Sequence, residues 1–255
     1  MKFFVIKKSV IAFALCFMLI LGIYAVPVAE NGTVSGVFFG KSGRKVPIYA
    51  VETDKKQVAI SFDAAWGADK TESILTTLKE YGVGATFFLV GFWVKDYPEM
   101  TQKIAKEGFE IGTHTNTHPD MTKLSKEDMK MELETSINLI KEQTNTEVKL
   151  FRAPFGSYNN TLLETAEEMG LTTIQWSIDG LDWKGISALD ITTRVLNKVQ
   201  PGNIILFHNN SDHIVEALPM ILERLKMQGY AITCVGDLIL KDNYTIDHTG
   251  LQKNI

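Results

Sequence analysis

The chain has 255 residues, of which 45% are hydrophobic and 22% charged, and carries a formal net charge of −4. That balance argues against a disordered chain and against a multi-pass membrane protein. Basic residues are scattered, with no stripe and no aromatic interleaving, so the chain has no nucleic-acid footprint and no nucleic-acid partner is expected.

Taken in chain order, the first element is a targeting segment. Lys2, Lys7 and Lys8 precede an uncharged apolar run from Ser9 to about Val28. The positive end should stay on the cytoplasmic side while the rest crosses or enters the membrane. Residues 1–29 are therefore read as a signal peptide or signal anchor. The run is adequate for a single span, and Pro27 spoils the contexts of Ala25 and Ala29 for cleavage, which favours the anchor. The globular part is expected outside the cytoplasm, membrane-anchored or secreted. Cys16 lies inside the run without a small residue before it, which speaks against lipidation. Cys234 stands alone in the globular part, so neither an intradomain disulfide nor a cysteine-based metal site is available there, and it reads as a small core residue.

Residues 30–57 read as an extension containing a hairpin: Val37–Phe39, a turn over Gly40-Lys41-Ser42-Gly43, then Val46–Val51. From residue 58 to 241 short apolar runs alternate with amphipathic helical patterns. The runs are Val58–Phe62, Ala85–Val90, Phe109–Gly112, Val148–Phe151, Thr172–Trp176, Ile204–Phe207 and Tyr230–Cys234. They suit strands buried on both faces, as a parallel sheet requires. Asp69 and Glu72 have capping-box spacing before Ile74, Leu75 and Leu78. Pro98 suits a first helical position. Ser125 with Asp128, and Ser187 with Asp190, announce two further helices. Gly108, Gly170 and Gly229 stand where helices should end. About seven strand–helix repeats imply a parallel α/β fold. No Gly-rich phosphate loop follows the first strand, as a doubly wound sheet would favour; Asp63-Ala64-Ala65-Trp66-Gly67 stands there. The fold class expected is a distorted (β/α) barrel of about seven parallel strands, acting as a monomer. Residues 242–255 read as a polar C-terminal tail.

The polar residues fall at strand ends. Asp63 follows the first strand, His114 and His118 the third, Arg152 the fourth, Asp179 and Asp182 the fifth, and His208 the sixth. In a parallel barrel these positions share one rim, where active sites of such barrels lie. A His-x3-His pair lets two imidazoles meet one metal ion, from a helical turn or from a tight loop. A buried Arg152 needs an anionic partner, which a carboxylate on the same rim would provide. Each residue alone has an ordinary structural explanation, but the convergence of all of them does not.

Together the motifs resemble the polysaccharide deacetylases, the family 4 carbohydrate esterases with the nodulation-type deacetylase homology domain. The resemblance rests on Ser-Phe-Asp at 61–63, His-x3-His at 114–118, Arg-x-Pro-x-Gly at 152–156, Asp-x-x-Asp-Trp at 179–183 and Leu-x-His at 206–208. The N-terminal segment and the Phe-Asp-Ala-Ala-Trp-Gly variant are similar to the sporulation-associated and cell-wall branches. The resemblance implies removal of acetyl groups from 2-acetamido sugars of a polymer such as peptidoglycan or chitin. It implies a divalent metal (zinc, with cobalt, nickel or manganese as alternatives) on His114 and His118, Asp63 as general base and Arg152 as its charge partner. It implies His208 as general acid, Asp182 as its orienting carboxylate, and Trp183, Phe155 and Leu206 as substrate-binding residues.

One position departs from the family pattern. A metal-binding second aspartate is usual after the base, and Ala64 stands there, so weakened metal affinity is expected. Asp63 itself, Asp69 or Asn116 is the candidate third ligand, with an extra water as the alternative. The alternative function is a catalytically impaired wall-binding or sporulation scaffold that keeps the deacetylase fold.

Overall fold

A computed structural model describes residues 43–255. The expected targeting segment and the first arm of the expected hairpin lie outside the described residues. Among those described, no helix is long and apolar enough to cross a membrane.

Parallel strands form a curled sheet with helices packed outside it. The strands are β1 (Ala50–Val51), β2 (Gln57–Ala64), β3 (Thr86–Leu89), β4 (Glu110–Thr113), β5 (Leu150–Phe151), β6 (Thr172–Thr173), β7 (Ile178–Asp179), β8 (Ile204–His208), β9 (Ala231–Thr233), β10 (Tyr244–Ile246) and β11 (Leu251–Asn254). The main sheet runs β6-β5-β4-β3-β2-β8-β7, and β9 pairs with the first residues of β2. Every pairing in that sheet is parallel. The helices are α1 (Thr71–Glu80), α2 (Gly91–Asp96), α3 (Pro98–Lys106), α4 (Lys126–Thr144), α5 (Asn160–Glu168), α6 (Ala188–Leu196), α7 (Ile214–Met227) and α8 (Val235–Leu238).

The fifth expected strand behaves unusually. Thr172 N and Ile174 N donate to Lys149 and Phe151 on one sheet edge, whereas Ser177 N and Gly180 N donate to Ile204 and Leu206 on the other. One extended run, 172–180, thus leaves one edge and joins the other without a helix between. This curls the sheet towards a barrel.

Strand parity sorts the side chains. On β2, Val58, Ile60, Phe62 and Ala64 enter the larger core cluster together with helix residues such as Leu75 and Leu78, while Ala59 enters a second cluster with Phe88, Leu150 and Ile204. Successive strand residues point to opposite faces. Ser61 and Asp63 therefore share the face of Ala59, Arg152 that of Leu150, and Leu206 and His208 that of Ile204. The concave face of the sheet carries the polar residues up to its rim.

Most expected helix signals act as read. Ser125 Oγ accepts from Asp128 N, and Ser187 Oγ accepts from Asp190 N, each a capping-box bond that satisfies an orphan amide. Pro98 opens α3. Gly108, Gly170 and Gly229 stand at φ 84°, 74° and 81° after helix ends, a region where a Cβ is strained. The expected Asp69 cap is corrected: α1 starts at Thr71, its cap position is Lys70, and no side chain caps it. The start is tied instead by tertiary contacts, since buried Asn209 Nδ2 donates to Thr71 Oγ1 and to Gly67 O.

The second arm of the expected hairpin finds other partners. β1 pairs in parallel with β11, and Ile48 bridges to Ile174. The last residues, read as a polar tail, supply β10 and β11 as an antiparallel pair. Gln252, fully buried, fixes this addition by exchanging side-chain hydrogen bonds with the Leu240 backbone. Cys234 is half-buried, and burial pushes its thiol up to about 12, so it is an inert thiol at neutral pH.

Candidate active site

A cleft of about 680 Å³ opens at the carboxyl ends of the strands. It brings together Asp63, His114, His118, Phe155, Asp179, Asp182, Trp183, Leu206 and His208 from five separate stretches of chain. Arg152 lies beneath this rim, fully buried.

One side of the cleft is an ion pair. Arg152 Nη1 donates to Asp63 Oδ1 at 2.8 Å, and Nη2 donates to Ser61 Oγ at 2.9 Å and to Gln175 O at 3.3 Å. The guanidinium lies 4.0 Å from the Phe88 ring centroid, a cation–π contact that takes the place of water on that face. Burial pushes the Asp63 carboxyl up. The charges of Arg152, His114 and His208 pull it down further, so it stays ionised below 3.8. Ser61 completes the pair by donating to Ile205 O at 2.8 Å while accepting from Arg152.

The other side is a carboxylate–imidazole pair. Asp182 is fully buried; its Oδ1 lies 2.9 Å from His208 Nδ1 and its Oδ2 accepts from His208 N at 2.8 Å. Two contacts to one residue fix both the position and the tilt of the ring. Burial lowers the His208 pKa, but the hydrogen bond and charge of Asp182 outweigh it and hold the imidazole above 6.5. Asp179 has a local task as well: its Oδ1 accepts from Leu181 N at 2.7 Å, shaping the turn that delivers Asp182.

Between the two pairs lie the histidines. The loop after β4 is tight rather than helical, with Thr115 and His118 at φ 72° and 58°. Its strained path is held by Glu132 of α4, whose carboxylate accepts from Asn116 N, Thr117 N and Thr117 Oγ1. His114 Nδ1 lies 2.7 Å from Arg152 O, which fixes that nitrogen as the donor and leaves Nε2 with its lone pair, 3.4 Å from Asp63 Oδ2. The His118 ring stands 4.9 Å from that of His114, centroid to centroid. Burial and then the neighbouring His114 push His118 down to about 4, so both imidazoles are neutral at pH 7, as ligands must be.

The remaining candidates separate. Asp69 is 73% exposed at its side chain, turned towards Lys70, and does not line the cleft. Asn116 packs against Gly91, where an added Cβ would come within 2.4 Å of its Oδ1. Of the three oxygen donors expected to complete a metal seat, only Asp63 stands beside His114. Ala64 is buried in the helix-facing cluster, on the opposite strand face from Asp63. Among the described residues no group of three His, Cys, Asp or Glu side chains is arranged to hold a metal ion. The residues present fit a two-imidazole seat, on the evidence of the fixed His114 tautomer and the two neutral rings.

Sequence reasoning missed Trp66, Trp176, Asn210 and Asp212 as cleft residues, and Glu132 and Ser61 as positioning residues. Trp66 was visible only as a departure after Asp63. Glu132 carries no local signal, because its task depends on where α4 crosses the histidine loop.

Fold and rim together define a class: a parallel, curled α/β half-barrel with a buried carboxylate–guanidinium pair and a carboxylate–imidazole pair facing one cleft. Comparisons with known proteins narrow it. A family model described as polysaccharide deacetylase matches residues 50–174. A peptidoglycan-N-acetylglucosamine deacetylase of Bacillus cereus is 34% identical over 196 residues, covering 75% of this chain and 92% of that protein. Bacillus subtilis YlxY is 36% identical over 193 residues, covering 76% of this chain; the chain spans only 60% of the length of YlxY. A Bacillus anthracis structure described as a CE4 family pseudoenzyme superimposes with TM-score 0.75 at 32% identity, over 82% of this chain and 70% of that one. A mutant of the same pseudoenzyme, described as having restored enzymatic activity, matches with TM-score 0.74 at 34% identity over 82% and 73%. The chain belongs to the polysaccharide deacetylase family.

Proposed function

We propose that the chain is a metal-dependent hydrolase that removes N-acetyl groups from amino sugars of a cell-wall polysaccharide, peptidoglycan or a chitin-like polymer, outside the cytoplasm. The observation that carries this reading is the convergence of two buried, oppositely tuned pairs, Asp63–Arg152 and His208–Asp182, on one cleft. Groups whose surroundings push their pKa values apart are the mark of an assigned base and acid. The relatives named as peptidoglycan deacetylases support the substrate class.

Asp63 uses Oδ1 for Arg152 and keeps Oδ2 for a water proton. It is ionised at neutral pH and so accepts that proton as general base. His208 is tied to Asp182 through Nδ1, so Nε2 is the nitrogen that donates to the leaving amine, which departs poorly unless protonated. A divalent ion such as zinc, held by His114 and His118 with Asp63 nearby, would polarise the acetamide carbonyl and acidify the water. Trp183 and Leu206 form the apolar wall for the acetyl group or the sugar. The Phe155 backbone N–H, on a residue at φ 61°, is assigned as the oxyanion donor. The N-terminal segment would tether the barrel at the membrane, where wall polymer is in reach.

A second reading is a wall-binding or sporulation scaffold that has lost turnover. Ala64 favours it, as does the likeness to a protein described as a pseudoenzyme. Acetate release from peptidoglycan and from N-acetylated chitooligosaccharide separates the two. Release that stops with a chelator and returns with added zinc or cobalt is the expected result. No release with any divalent metal and either polymer would leave the scaffold.

The pH profile is predicted with its sign. The base must be ionised, and its folded pKa lies below 3.8; the acid must be protonated, and its folded pKa lies above 6.5. Plotted against pH, kcat/KM is therefore expected to be limited on the acid side by protonation of the metal-holding imidazoles, His118 titrating at about 4, and to fall on the alkaline side as His208 deprotonates. Asp182→Asn removes the influence that raises His208 and leaves burial, which lowers it. The alkaline limb should move to lower pH. An unmoved limb would take the acid role from His208.

A further inference from the structure

Among the described residues, the large apolar side chains left exposed are Trp66, Met131, Phe155, Trp183, Leu189, Met227 and Ile255. The three aromatic ones, and none of the four aliphatic ones, line the catalytic cleft. Trp66, Phe155 and Trp183 are 58%, 67% and 56% exposed. Exposed indoles held at one cleft mark a recognition surface, because each leaves a wide apolar face in water.

Trp66 has been given no task so far. It follows β2 by two residues and is braced, not buried: its ring meets His118 edge-on at 5.1 Å and Phe92 at 6.2 Å. Phe155 meets the other flank of His118 at 4.8 Å. The Trp66 indole N–H makes no hydrogen bond to the described residues, so it can donate to a ligand. The cleft lining includes Asp179, Asn210 and Asp212 but no Lys or Arg. Such a lining disfavours anionic ligands and suits uncharged hydroxyls. A pyranose with equatorial substituents has this chemistry: axial C–H groups present an apolar face to an indole, and hydroxyls at its edge reach carboxylates and amides.

We propose that Trp66 is a stacking platform for a sugar of a β-linked amino-sugar chain, placed beside His118 in the cleft. The assignment rests on the deacetylase reading for its substrate class. It adds a residue outside the acid–base set that grips the polymer independently of any metal. Because Trp66 is braced by His118 and Phe92, a sugar stacked on it lies beside the two-imidazole seat. Polymer binding would then survive even where Ala64 weakens metal binding.

The test is calorimetric titration of the full chain with the β-1,4-linked N-acetylglucosamine hexamer, in chelator. Trp66→Ala is expected to weaken binding about three- to tenfold, the range of one aromatic contact. Trp66→Tyr should recover most of it, and Leu189→Ala, at an exposed site away from the cleft, should change nothing. Wild-type affinity in Trp66→Ala, with a loss in Trp183→Ala, would overturn the role of Trp66 and leave the deacetylase reading standing. An equal loss in Trp66→Ala and Trp66→Tyr with a lowered melting temperature would show a structural role and also overturn it. No binding by the wild-type chain, of hexamer or of peptidoglycan, would overturn both.

Discussion

Arg152→Met is expected to destabilise the fold by about 3–5 kcal/mol, the usual cost of breaking a buried ion pair on one side. The guanidinium has no exposed surface and is held by Asp63, Ser61, Gln175 and the Phe88 ring. Methionine fills much of the volume, so the loss is electrostatic more than steric. Asp63 would keep its burial and lose its largest attractive partner, so its carboxyl should rise and take up a proton. The stability contributed by the depressed Asp63 pKa is present above 3.8 and lost as pH falls through the lower folded value. Urea titrations at neutral pH should show the deficit. Asp63→Asn combined with Arg152→Met should recover part of it, because the orphaned charge is gone. A single mutant within about 1 kcal/mol of wild type would mean the pair is not buried as a unit.

Asp63→Asn is expected to cut kcat for acetate release by about 10²–10⁴, the span for removal of a general base. The substitution keeps shape, and its amide oxygen can still accept from Arg152, so the fold should persist. The proposed substrate contacts of Trp183, Phe155 and Leu206 are untouched, so KM should change little. The expected signature is a folded protein that binds the sugar and fails to turn over. Turnover within tenfold of wild type would transfer the base role to another group and leave Asp63 as the charge partner of Arg152 alone.

The rim was legible before any coordinates because strand ends are legible. Short apolar runs read as strands buried on both faces, and Asp63, Arg152 and His208 each follow such a run directly. Ser125 and Ser187 announced helix starts because a cap is a bond between near neighbours in sequence. Asp69 misled for a related reason. Its spacing to Glu72 imitates a cap, but the start of α1 is settled by Asn209, which no local pattern could announce.

The sequence by itself determined the alternating order of strands and helices, the residues at the strand ends and the pairing of types that the chemistry needs. All of these follow from local periodicity and from the cost of burying unpartnered polar groups. Only the tertiary structure decided which distant segments meet. It sent Ala50–Val51 to β11 rather than into a hairpin, made the run 172–180 join both sheet edges, and laid Glu132 against the histidine loop. It also turned Ala64 into the helix-facing core while Asp63 faces the cleft. Those choices depend on packing and hydrogen-bond satisfaction across the whole barrel, between residues far apart in sequence, where a linear pattern carries no information.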